Sequence, residues 1–233
     1  MDTAWCHWLR REELAATEQA KAGIVLSDEH GIPLFSSMGT VLRGRAMVEQ
    51  GEGEAGIEQM RRGLVAYQAT GAGMLRPYFL ALLAEGDGQV GHIEEGLTVL
   101  AEALAVVDRT GERFYEAELY RLKGELTLQK EARDLRLETG SSSSQAPSLK
   151  PLVSPAVEQE AEECFLKAIE ISHKQQAKSL ELRAATSLAR LWQQQGKQHE
   201  AHKLLAEVYN WFTEGFDTKD LQEAKVLLEE LSQ

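Results

Sequence analysis

The small residues of the chain recur at a step of 40 positions. Gly31, Gly71 and Gly111 are separated by this step, and so are Gly51 and Gly91. Small side chains at fixed columns mark places where two helices approach closely, so the pattern indicates that one structural unit has been copied. The repeat predicts stacked pairs of helices, an architecture typical of binding and not of catalysis.

Further columns of small residues follow the same step. They comprise Gly44, Ala84 and Gly124, then Gly23, Gly63 and Ala103, and then Ala16, Gly56 and Gly96, a column that returns after a break at Ala161 and Ala201. The register therefore extends almost from end to end, and it predicts a single array of helical hairpins over residues 1–233.

Composition agrees with an all-α fold. Hydrophobic residues make up 43% of the 233 residues and charged residues 27%, proline is scarce, and good helix formers dominate. The formal net charge of −12 gives no electrostatic footprint for DNA, RNA or an anionic membrane. Cys6 and Cys164 match no metal-binding or redox spacing, and no apolar run of membrane-spanning length occurs, so a cytoplasmic setting is expected.

Each unit is predicted to contain two amphipathic helices separated by a glycine turn. One unit runs from about Pro33 to Thr70, the next contains Tyr78 to Val107 and ends at Gly111, and the fourth runs from about Ser179 to Phe212. A final apolar-faced helix, residues 218–233, is predicted to cap the stack.

The period is lost between residues 131 and 155, around the linker-like run from Thr139 to Ser148. Removing about 25 residues restores the register, so this segment is predicted to be a disordered loop inserted within the third unit, whose second helix covers Glu158 to Gln175. A tolerated surface insertion and a regulatory segment both remain open.

The start of the chain differs from the other units. Ala4 aligns with Gly44, so the residues before Arg11 correspond to the tail of a first helix whose beginning is missing. Trp5 and Trp8 would then lie where an upstream repeat packs. We expect a C-terminal piece, or a remnant, of a longer protein.

Two motifs that suggest chemistry lack the necessary context. The runs Gly51–Gly56 and Gly86–Gly91 match GxGxxG, but both lie at predicted helical turns and neither follows a predicted strand. His199 and His202 have no third convergent ligand in their pattern. The sequence predicts no cofactor, no metal and no catalytic residue.

The columns resemble those of tetratricopeptide repeats, and the fourth unit is closest to that pattern. Its matching residues are Leu188, Ala189, Trp192, Gly196, Glu200, Ala201 and Leu205. The step of 40 exceeds the usual value of about 34, so longer helices are expected. The resemblance implies a right-handed α-solenoid.

Four stretches, residues 76–84, 116–126, 182–192 and 211–217, look like the C-terminal repeats of large bacterial signalling proteins that carry a class III adenylate or guanylate cyclase and a STAND or AAA ATPase. This resemblance implies a non-catalytic regulatory module whose partner is a protein or peptide segment, including an upstream ATPase or cyclase domain. Two alternatives remain. The chain could be part of an enzyme that takes its cyclase or ATPase name from the parent protein, or it could be a purely structural scaffold that associates with itself.

In tetratricopeptide arrays the concave surface is lined by first-helix residues. Carried onto this register, the lining residues are Arg45, Tyr78, Glu85, Arg121, Glu125, Arg183, Arg190 and Gln193. Arginines and a tyrosine suit capture of a peptide carboxylate or an acidic segment. The alternative is that these arginines pair with Glu85 and Glu125 across neighbouring helices.

Overall fold

A computed structural model of the protein describes residues 13–138 and 153–232. Within these ranges the chain forms ten α-helices and no strand, so the prediction of an all-α fold is confirmed. The helices are α1 (Glu13–Glu29), α2 (Pro33–Glu49), α3 (Gly53–Ala69), α4 (Arg76–Val90), α5 (Ile93–Thr110), α6 (Glu116–Glu138), α7 (Pro155–Gln175), α8 (Lys178–Gln194), α9 (Gln198–Tyr209) and α10 (Lys219–Leu231).

The described residues divide into two compact units. The first contains α1 to α5, up to Arg113, together with Phe216–Lys219. The second begins at Phe114, contains α6 to α9, and continues from Asp220 through α10. No helix in the described part of the chain is both long and apolar enough to cross a bilayer.

Tight glycine turns separate several of the helices. Gly91 ends α4 in the left-handed conformation at φ 88°, and the next residue, His92, donates its backbone N–H to the Asp87 carbonyl at 2.8 Å. Gly111 ends α5 in the same way at φ 75°. Because this conformation crowds the Cβ atom of other residues, the turn column of the 40-residue repeat selects glycine.

In the first unit, α2 and α3 pack at a separation that leaves no room for side chains at the glycine columns. A Cβ atom placed on Gly56 would lie 2.6 Å from the Gly44 carbonyl oxygen and 2.8 Å from the Val48 nitrogen. A Cβ atom on Gly63 would lie 2.8 Å from the Val41 nitrogen. Methyl groups of Val48 and Val41 lie equally close, but the backbone atoms cannot move aside as a flexible side chain can.

Apolar side chains on the inner faces of the helices form the core of each unit. In the first unit Tyr67 and Phe79 are fully buried and stack edge to face with ring centroids 5.2 Å apart. In the second unit Phe165 lies against Gly124, where a Cβ atom would approach the ring to 2.7 Å. Small and large residues therefore interdigitate between α6 and α7.

The predicted loop differs from the structure at its start. Helix α6 continues to Glu138, so residues 131–138 are helical, although the sequence analysis placed them in the inserted loop. This stretch contains only helix-compatible residues, and the glycine and serine run begins after it. Residues 139–152, as well as Trp5 and Trp8, lie outside the described residues.

One helix end departs from the glycine rule and provides a test of it. Gln176, an exposed residue that ends α7, has φ 55°. We expect Gln176→Gly to raise the free energy of unfolding by about 0.5 to 1 kcal/mol, because glycine adopts this conformation without steric cost. Urea denaturation measures the change. The matched control is Gly196→Gln at φ 79° in the turn after α8, which should lower stability; equal effects of the two changes would contradict the explanation.

The close approach of α2 and α3 gives a second prediction. Gly56→Ala should lower the free energy of unfolding by about 1 to 3 kcal/mol, because the added methyl group meets backbone atoms of α2. Gly73→Ala is the control, since a Cβ atom there has no neighbour within 4 Å. Thermal or urea denaturation of both variants decides the outcome, and similar losses from both would show that the helix contact is not responsible.

Candidate functional site

Arg45 is the centre of a charged cluster in the first unit. It lies on α2 with 3% of its surface exposed, and it forms ion pairs with Glu49 on its own helix and with Glu85 on α4, the latter at 3.2 Å. Arg45 also donates a hydrogen bond to Gln89 Oε1 at 2.9 Å, and Gln89 Nε2 donates to Glu49 at 3.3 Å. A buried guanidinium requires such partners, because an unpaired buried charge is strongly destabilising.

The repeat explains the geometry of this cluster. Arg45 and Glu85 are 40 residues apart, and so are Glu49 and Gln89. These side chains therefore occupy corresponding columns of two first helices and connect α2 to α4. Tyr78, also predicted to line the concave surface, is instead 1% exposed and packs against Phe79 at a centroid distance of 5.4 Å.

Arg121 occupies a similar setting in the second unit. It lies on α6 with 8% of its surface exposed and forms ion pairs with Glu118 at 2.8 Å and with Glu125, both on the same helix. Ser187 of α8 donates a hydrogen bond to Glu125 Oε1 at 2.8 Å. Arg121 therefore positions the Glu125 carboxylate, which accepts the hydrogen bond from α8.

Arg183 continues this network from α8. Its side chain is 10% exposed, its Nε atom lies 2.8 Å from Asp220 Oδ2 on α10, and its Nη1 atom lies 3.8 Å from Glu118 Oε1 on α6. Burial alone would lower the pKa of the guanidinium, but the carboxylates of Glu118 and Asp220 outweigh burial, so the pKa of Arg183 is raised. Arg183 stays charged and joins three helices.

Arg190 is the most accessible of the predicted arginines. Its side chain is 48% exposed and pairs with Glu223 of α10 at 3.4 Å. Gln193, farther along the same helix, is half-buried. Glu85 and Glu125 are each 31% exposed, so they present carboxylate surface although they also receive internal partners.

The predicted residues therefore separate into two groups. Arg45, Arg121 and Arg183 are internal and paired, whereas Arg190 is accessible to a partner. Of the two alternatives left open by the sequence, pairing across neighbouring helices is present at Arg45 and Glu85, while Arg121 pairs with Glu125 on its own helix. Partner binding at these positions stays a prediction.

Sequence reasoning missed several members of these clusters. Glu118 and Asp220 complete the pairs of Arg183, and Glu49 and Gln89 complete the cluster of Arg45. A partial signal was present, since Glu118 precedes Arg121 by three residues and Glu49 follows Arg45 by four, the spacings at which helical side chains meet.

A second feature missed from the sequence is a buried carboxylate in α4. Asp87 has no exposed surface, and its Oδ1 atom lies 3.3 Å from Arg61 Nη2 and 3.7 Å from His92 Nδ1. Its Oδ2 atom has no hydrogen-bond partner among the described residues. Burial raises the pKa of Asp87; Arg61 and His92 oppose this shift, and Glu95 adds to it.

The motifs that suggested chemistry lie in helices and in the turns that end them. Gly51 forms the turn between α2 and α3, whereas Gly86 lies within α4 and Gly91 ends it. His199 and His202 lie on α9. Among residues 13–138 and 153–232, no group of three or more histidine, cysteine, aspartate or glutamate side chains is placed to hold a metal ion.

Comparison with known proteins gives no assignment. No protein-family model matches the chain, and no curated protein matches it in sequence. The resemblance to tetratricopeptide repeats and to cyclase or ATPase proteins stays a prediction.

Asp87 generates a pH-dependent prediction. Because the folded state holds the Asp87 proton more tightly than the unfolded chain does, this carboxyl favours folding at acidic pH, and the contribution is lost as pH rises through the raised pKa. The substitution Asp87→Asn removes this titration. We expect the free energy of unfolding of the variant, minus that of wild type, to be larger at pH 7 than at pH 4. Urea denaturation at both values tests this, with Asp108→Asn on the exposed face of α5 as the control. An increment that is the same at both pH values would contradict the prediction.

Proposed function

We propose that the chain is a non-catalytic protein-interaction module built as a right-handed, tetratricopeptide-like α-solenoid with α10 as its cap. Contacts in the first unit support paired antiparallel helices. Val48 meets Gly56 and Val41 meets Gly63, so numbering falls along α2 as it rises along α3. The three-residue connections between α2 and α3 and between α8 and α9 suit helical hairpins.

The observation that carries the proposal is the set of side-chain bridges between alternate helices. Arg45 connects α2 to Glu85 of α4, and Arg183 connects α8 to Asp220 of α10. Such bridges fix first helices side by side, which is the arrangement that gives a repeat protein its extended binding surface. The buried arginines would therefore hold the scaffold, whereas exposed side chains would contact the partner.

The partner surface in this proposal centres on Arg190 with Gln193 beside it. Arg190 presents a guanidinium with 48% of its side chain exposed, and a guanidinium binds carboxylates through paired hydrogen bonds. We propose an acidic protein or peptide segment as the partner. In a bacterial signalling protein of the kind that the sequence resembles, an upstream ATPase or cyclase domain in the cytoplasm would supply or sense that segment.

A binding experiment with matched charge reversals tests this function. Fluorescence anisotropy measures the affinity of the full chain for a library of acidic C-terminal peptides. Arg190→Glu should weaken binding about ten-fold, in line with loss of one charge-assisted contact. Arg62→Glu, a change of equal charge on the exposed face of α3, should have little effect. Absence of binding by every peptide, or an equal loss in both variants, would refute the proposed function.

Solution scattering tests the proposed architecture separately. A compact globule of 233 residues would have a radius of gyration of about 17 Å. The solenoid should exceed this value as a monomer, and a radius at or below it would contradict stacked hairpins.

A further inference from the structure

Helix α10 joins the rest of the second unit through one apolar face. Its residues Leu221, Ala224, Leu227 and Leu231 are buried, at the spacing of three and four positions that places them on one side of a helix. They share a core cluster with residues of α8 and α9, namely Leu182, Ala185, Ala189, Ala201, Leu205 and Val208. The surface of these two helices is therefore an apolar seat for an amphipathic helix, and we call it the α10 seat.

Two arginines at the edge of the α10 seat match two carboxylates of α10. Arg183 meets Asp220 at 2.8 Å, and Arg190 meets Glu223 at 3.4 Å. The arginines are seven residues apart on α8, and the carboxylates are three apart on α10, so each pair of like charges lies along one side of its helix. The seat therefore selects a helix by apolar pattern and by negative charge together.

Helix α10 is a short helix that the rest of the second unit holds in place. Helix α10 contains 13 residues, a length at which an isolated helix is marginal in water, so its helical state depends on the seat. It is connected to α9 by residues 210–218.

We infer that the α10 seat is a binding site for an acidic amphipathic helix of another protein, and that α10 occupies it as the chain's own competitor. This inference rests on the proposed function and specifies its partner: a helix with two carboxylates three residues apart beside an apolar stripe. A segment tethered by a short connector reaches an effective concentration on the order of millimolar. The partner consequently binds with a weakened apparent affinity until α10 is released.

The test uses the full chain and a fluorescein-labelled synthetic peptide of residues 216–233. The variant Asp220→Arg with Glu223→Arg places positive charges of α10 against Arg183 and Arg190, which loosens the chain's own helix. This variant should bind the wild-type peptide at least about ten-fold more tightly than the wild-type chain does. The control, Glu229→Arg with Glu230→Arg, makes the same charge change on exposed positions of α10 and should bind like wild type.

Circular dichroism checks that each variant keeps its helical content apart from that of α10. A folded Asp220→Arg, Glu223→Arg chain that binds the peptide no better than the control chain overturns the inference. If that chain loses helix beyond the amount in α10, Glu223→Arg alone replaces it, because the pair of Glu223 and Arg190 is partly exposed. The Glu223→Arg chain should then bind the wild-type peptide several-fold more tightly than the wild-type chain does, and unchanged binding overturns the inference.

A second peptide tests the chemistry of the partner. It retains acidic residues at the positions of Asp220 and Glu223 and the apolar residues of the buried face, while every other position is changed. It should bind the loosened chain within about three-fold of the α10 peptide, since pattern and charge define the site. Binding of the exact α10 sequence alone would refute a general helix-binding site. If library peptides bind the wild-type chain but neither the α10 peptide nor the patterned peptide binds the loosened chain more tightly, the inference fails while the proposed function stands.

Discussion

The separation of α2 and α3 is set by residues that have no side chain. Gly44, Gly56 and Gly63 bring backbone against backbone, so Val41 and Val48 fill the space beside the glycines of the opposite helix. The close contact of α2 and α3 fixes how these two helices pair. It also restricts which side chains can occupy the neighbouring positions of the repeat. A methyl group at these positions meets main-chain atoms, and main-chain atoms of a helix move only together with the whole helix.

Once the helices are paired, buried charges connect alternate helices. Arg45 connects α2 to α4, and Arg183 connects α8 to α6 and α10. A buried ion pair contributes little net stability compared with apolar packing, but removing one partner is costly because the other charge is left buried and unpaired. Most of the predicted arginines already have carboxylate partners, so they are not all available to bind a ligand.

Helix α10 combines both kinds of contact. Its apolar face completes the core of the second unit, and its carboxylates pair with Arg183 and Arg190. The proposed partner helix would have to reproduce both features, which explains why an acidic segment alone is an incomplete description of the ligand. Binding and capping are alternative uses of one surface under this proposal.

The sequence by itself determined the helical class, the turn positions and the glycine columns, because backbone conformation and close approach restrict residue type at single positions. The 40-residue step also places Arg45 and Glu85 at the same column of successive repeats. Only tertiary structure decided that Tyr78 is core, that Glu118 and Asp220 share Arg183, and that Asp87 is buried with an oxygen that lacks a partner among the described residues. Burial and charge pairing depend on which helices are neighbours, and residues 37 or 65 positions apart, as Arg183 is from Asp220 and from Glu118, leave no local signal of that proximity.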